Sequence, residues 1–155
     1  MDSDTDVAVL TFVPTKHDVM PLTIDEAART REIVNALDGT QRLLLHGRVI
    51  PNLPGDLQRM DELKESWNIS AWKTYTQFGP TLDSGWWLDD EEFGAPLIQR
   101  ARETGINLIC IHKGLTLPPP LMGEKNREYS GCRDVGPAAR QNPDINFIIY
   151  LNCIL

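Results

Sequence analysis

Three short stretches carry side chains able to do chemistry at alternate positions. "LLHGR" holds His46 and Arg48, "WKTY" holds Lys73 and Tyr75, and "ICIH" holds Cys110 and His112. In a strand, residues two apart share a face, so each pair projects to one side of a sheet. His112 is a candidate metal ligand, while Arg48, Lys73 and Tyr75 are candidates for holding an anionic or polar substrate. One imidazole does not hold a zinc ion, because catalytic zinc sites use three protein ligands and an open position. His46, in mid-strand, reads as a hydrogen-bonded core histidine. For Lys73 two roles stay open: an internal salt bridge, or a contact to substrate or metal. Tyr75 reads as packing or as a substrate contact.

The elements that must position these residues alternate between strand and helix. "VAVLTFV" (7–13), "RLLLHGRVI" (42–50), "SAWKTYT" (70–76), "INLICIH" (106–112) and "INFIIYL" (145–151) are short apolar runs bounded by turn residues, and they read as strands. Thr23 and Glu26 form a capping-box pattern ahead of a helix closed by Gly39. Leu57, Met60, Leu63 and Trp67 recur at helical spacing and predict a helix over 56–67. Asp89 and Asp90 supply an N-cap for a helix that carries Phe93, Leu97 and Ala101 and ends at Gly105. A shorter helix is expected over 135–141.

Strands this apolar on both faces belong to a parallel sheet in an α/β fold. The strand starts lie about 35 residues apart, close to the roughly 31 residues per βα unit of an eight-fold barrel. The expected fold is a partial TIM (β/α)8 barrel, about five parallel strands with four intervening helices. An open doubly wound sheet is the alternative at this length. The turn "PTKHDVMP" after the first strand has no phosphate-cradling glycine, which argues against a nucleotide-binding version. Connections from strand to helix are long, above all 77–90 and 113–133, and those from helix to strand are short. Ligands bind at the carboxyl ends of strands in both folds, so the chemistry is expected there.

Composition narrows the ligand classes. A net charge of −7 over 155 residues argues against nucleic acid or an anionic membrane as partner and leaves small molecules as the default. Cys110, Cys132 and Cys153 are odd in number and lack CxxC spacing, so no disulfide framework or structural zinc site is expected. A reducing, cytoplasmic location fits that pattern. The acidic start "DSDTD" is unlike a signal peptide, and no apolar run reaches the roughly 18 residues of a membrane span.

The stretch "SAWKTYTQFGPTLDSGWWLDDEEFGAPLIQRARETGINLICIHKGL", with "RDVGPAARQNPDINFIIY" after it and "LLLHGRVIPN" before it, resembles the amidohydrolase-related family of metal-dependent hydrolases and decarboxylases. The resemblance implies a TIM-type barrel with a divalent metal, zinc or manganese, at its carboxyl face. It implies hydrolysis of C–N or C–O bonds, or non-oxidative decarboxylation, of a small organic acid. In that family the ligands are a paired HxH or ExH on the first strand, a histidine on the fifth, one ending the sixth and an aspartate on the eighth. The strands here then match the second through the sixth, and His112 matches the fifth-strand ligand. No HxH is present, and Leu151, six residues after Ile145 as His112 is six after Ile106, takes the slot of the sixth-strand histidine.

Residues 1–155 are therefore expected to form a single partial domain, truncated at both ends, that is inactive alone and binds metal only weakly. The tail "LNCIL" reads as truncation, a frame change or mis-spliced termination. Arg48, Lys73 and Tyr75 are carried forward as substrate-binding candidates, and Trp86, Trp87 and Tyr129 as aromatics able to cover an aromatic acid. Two competitors are a non-catalytic open α/β module that binds small molecules or interacts with a partner, and a barrel completed by a second chain. Open sheet edges would favour self-association.

Overall fold

The computed structural model of the chain describes residues 5–13, 20–81, 83–116 and 123–150. Strands β1 (Ala8–Leu10), β2 (Leu43–Arg48), β3 (Ala71–Tyr75), β4 (Leu108–His112) and β5 (Asn146–Tyr150) form one sheet in the order β1-β2-β3-β4-β5. Every pairing is parallel. The sheet curls into a half-barrel. Its strand order follows the chain without reversal, so the doubly wound alternative, which needs a point where the order turns back, does not apply.

Helices α1 (Ile24–Asp38), α2 (Met60–Trp67), α3 (Gly94–Thr104) and α4 (Val135–Gln141) connect the strands. A fifth helical segment, a 3-10 helix over Glu124–Ser130, lies within a stretch read from sequence as loop. The capping box of α1 forms as expected: the Glu26 amide donates to Thr23 Oγ1 at 3.2 Å, and the Thr23 amide donates to Glu26 Oε2 at 2.9 Å. Gly39 and Gly105 close α1 and α3 at φ 66° and 74°, left-handed values that glycine adopts without strain.

Two helix starts differ from expectation. The segment from Asp56 to Arg59 is turn, because the Asp56 carboxylate is drawn inward, where it accepts the Ile50 amide at 2.9 Å. Asp90 gathers the amides of Trp87, Phe93 and Gly94 on its carboxylate, which organises a turn before α3 rather than its first residue.

Register divides the side chains between two faces. Leu45, Trp72, Ile109 and Ile111 are buried against Ala27 and Ala28 of α1, Met60 and Leu63 of α2, Leu97, Ile98 and Ala101 of α3 and Ala138 of α4. That layer is the core. The concave face carries the polar residues, and lower down it leaves Val9, Leu44 and Ile148 exposed by 43%, 36% and 43%. Among the described residues no helix is long and apolar enough to cross a membrane.

Gly94 is fixed by close approach. A Cβ there would lie 2.3 Å from the Leu88 carbonyl oxygen and 2.5 Å from that of Trp87, both backbone atoms. Gly94→Ala is expected to destabilise the fold by about 1–3 kcal/mol through overpacking. Gly136→Ala, whose Cβ would meet only the flexible Arg140 side chain at 3.4 Å, should be neutral or stabilising by up to about 1 kcal/mol. Urea unfolding of both variants checks this, and equal midpoints would contradict it.

Candidate functional site

The parity of the strands gathers most of the candidate residues at the carboxyl ends. Lys73 pairs in register with Cys110, and Tyr75 with His112, which in turn pairs with Tyr150. The rings of Tyr75 and His112 stack with centroids 4.5 Å apart and planes 5° from parallel. Lys73 Nζ lies 4.7 Å from the centroid of Tyr75 and 4.2 Å from that of Tyr150, close enough for cation–π attraction to both rings. His46 closes the group from β2, with Nε2 at 3.9 Å from Cys110 Sγ and Nδ1 at 3.0 Å from Thr11 Oγ1.

His46 is thus a hydrogen-bonded histidine of the kind expected, but it belongs to the cluster rather than to the helix-facing core. The internal salt bridge considered for Lys73 does not form: among the described residues no carboxylate pairs with it. Tyr150 was missed. Matching "INLICIH" to "INFIIYL" from their first residues sets His112 against Leu151, whereas the register sets Leu108 against Asn146 and His112 against Tyr150. A slip of one residue reverses which side chains share a face. Leu151 itself lies outside the described residues.

Arg48 stands apart, although it pairs in register with Lys73. Its Nη2 donates to Asp56 Oδ1 at 3.2 Å, both side chains being buried. It lines a separate cavity of about 250 Å³ with Phe12, Ile24, Asp56, Arg59 and Leu63. The structure therefore brings together Lys73, Tyr75 and His112, but not Arg48. Trp86 is buried in the core. Trp87 packs on Tyr129, with centroids 4.8 Å apart, beneath the Arg133 guanidinium.

Burial sets the protonation of the cluster. Desolvation, with a smaller contribution from Lys73, lowers the His46 pKa to about 4. His112 is lowered as well, mainly by burial. Desolvation raises Cys110, Tyr75 and Tyr150. All five are held in their neutral forms at pH 7, whereas Lys73, lowered by burial to about 8, is still mostly ammonium there, with a larger neutral fraction than an ordinary lysine has.

The cluster does not fit a resident metal. Among the described residues no three His, Cys, Asp or Glu side chains come together as a ligand set. His112 is also partly committed: its Nε2 faces the Leu115 carbonyl oxygen at 3.0 Å, so Nε2 carries the proton and Nδ1 is left as the free acceptor. The cysteines also depart from expectation. Cys110 is a buried free thiol, but Cys132 is disulfide-bonded; local spacing rules say nothing about pairing between distant segments.

Fold and site together define an α/β half-barrel with an aromatic-lined lysine amine on its concave face. Compared with protein-family models, curated proteins and solved structures, the chain finds no match in any of the three.

Proposed function

We propose that this half-barrel is part of a metal-dependent barrel of the amidohydrolase-related type, and that these residues alone are not catalytic. The observation that carries the reading is the curled parallel sheet with His112 at the carboxyl end of β4, facing the concave side beside Lys73 and Tyr75. The complete enzyme would hydrolyse C–N or C–O bonds, or decarboxylate a small organic acid without oxidation. Its zinc or manganese would need ligands beyond the described residues, because those present do not form a set. Lys73 and Tyr75 would hold the substrate's polar end. Arg48, committed to Asp56, is better explained as a support for the loop after β2.

A specific observation favours a second reading, a non-catalytic module that binds small molecules. Lys73 has no carboxylate counter-ion among the described residues, so a bound organic acid could supply one.

Calorimetric titration with zinc and manganese, with the mass in solution measured by light scattering, tests the first reading. A monomer is expected to bind either metal no more tightly than a single imidazole does, far below the affinity of a three- or four-ligand site. Submicromolar zinc binding by a monomer, lost in His112→Ala, would overturn it. Self-association is expected through the edges of β1 and β5, which pair with no further strand among the described residues, and through the exposed Val9, Leu44 and Ile148. If a dimer gains metal affinity that the monomer lacks, a second copy completes the barrel.

A further inference from the structure

Beyond that reading, we propose that Lys73 is a carbonyl-capturing lysine whose Nζ condenses with a small aldehyde on the concave face to form an imine. The geometry carries this. The amine is held over the faces of two tyrosines on the concave side of the sheet, in a residue only 2% exposed, with no carboxylate paired to it among the described residues. Among the described residues the other lysines differ. Lys113 is locked by Asp134 at 2.7 Å, and Lys64 and Lys125 are exposed on helical segments.

The condensation balances without an oxidant or reductant. The neutral amine adds its lone pair to the carbonyl carbon, a C–N bond forms, and the carbonyl π pair moves to oxygen. Two protons then pass from nitrogen to that oxygen, the C–O bond breaks, and water leaves as the imine forms. Groups able to move those protons face the amine from each neighbouring strand. His112 has Nδ1 free as an acceptor, and its ring lies on Tyr75, whose burial keeps the phenol protonated. Tyr150 stands on the other side, with Cys110 level with Lys73 on β4 and His46 below on β2, each in its neutral form. A protonated amine does not add to carbonyls, so an environment that disfavours the ammonium form serves this chemistry.

The experiment is trapping of the full chain with glyoxylate and cyanoborohydride at pH 7, with adducts mapped by peptide mass spectrometry. Labelling at Lys73 is expected to exceed that at Lys64 or Lys125 by at least about tenfold. The margin is kept modest because Lys73 is 2% exposed, which restricts access. The labelling rate should rise with a midpoint near pH 8. Tyr75→Phe should slow labelling while keeping it at Lys73. The comparison is internal to the wild-type chain, so it does not depend on a variant folding, and its outcome is separate from metal binding. Labelling of Lys73 at or below the level of the exposed lysines, or a pH dependence the same as theirs, would overturn the proposal.

Discussion

Replacing Lys113 with Met is expected to lower the stability of the fold by about 3–5 kcal/mol, the usual effect of removing one partner from a buried ion pair. Lys113 Nζ lies 2.7 Å from Asp134 Oδ2, and both side chains are fully buried. The amine also donates to the Tyr129 carbonyl oxygen at 3.0 Å, and Asp134 Oδ2 accepts the Leu88 amide at 2.9 Å. One carboxylate thus ties the end of β4 to the loop before α3, while the Lys113 amine reaches the end of the 3-10 helix. Without the ammonium, Asp134 becomes an uncompensated buried charge. Its Oδ1 already has no hydrogen-bond partner among the described residues. In the double variant Lys113→Met with Asp134→Leu the buried charge is gone, and much of the loss should be recovered, although the Leu88 amide is then left without its acceptor. Urea unfolding with an unchanged m value would report this as a stability change alone. A loss below about 1 kcal/mol would show that water reaches the pair and screens it.

Much of this architecture is legible in the sequence, and the reasons are local. Strand and helix alternate because apolar runs of seven to nine residues are separated by segments with helical spacing, and the Thr23–Glu26 box and Gly105 mark helix ends with their own chemistry. The start of α2 was not legible because Leu57 carries the helical spacing back as far as Asp56, and only the fold shows that the Asp56 carboxylate turns inward to Ile50 and Arg48. Strand parity put Lys73, Tyr75 and His112 on one face correctly. It could not separate Arg48 from them, since the divergence happens at the end of a long side chain rather than in the backbone. Tyr150 was hidden for another reason. Two strands with the same opening residues invite alignment from their starts, but register is set by packing and by the length of the connections, and here it differs by one residue.

Acid is expected to weaken the fold through His46. Its pKa is lowered from 6.5 to about 4 in the folded chain, first by burial and then by the nearby Lys73 charge. Between those values the unfolded chain binds a proton that the folded chain refuses, so stability rises with pH across this window. The contribution is fully present above pH 6.5 and is lost as the pH falls toward 4, where the difference reaches about 2–3 kcal/mol. Carboxylates held below their ordinary range, Glu26 by Thr23, Glu103 by Gln99 and Arg100, and Asp144 by Arg102, also lose stability in acid. Those three are shared with a His46→Gln variant, which keeps a polar group within reach of Thr11 but does not titrate. Stability measured by urea unfolding at pH 7 and pH 4.5 should therefore fall more in the wild-type chain than in the variant, by about 2 kcal/mol. Equal falls would mean that His46 accepts a proton inside the folded structure. Since Cys110 Sγ is 3.9 Å from Nε2 and the Tyr150 ring 6.4 Å from the imidazole, the concave face would then have to admit water around that imidazole.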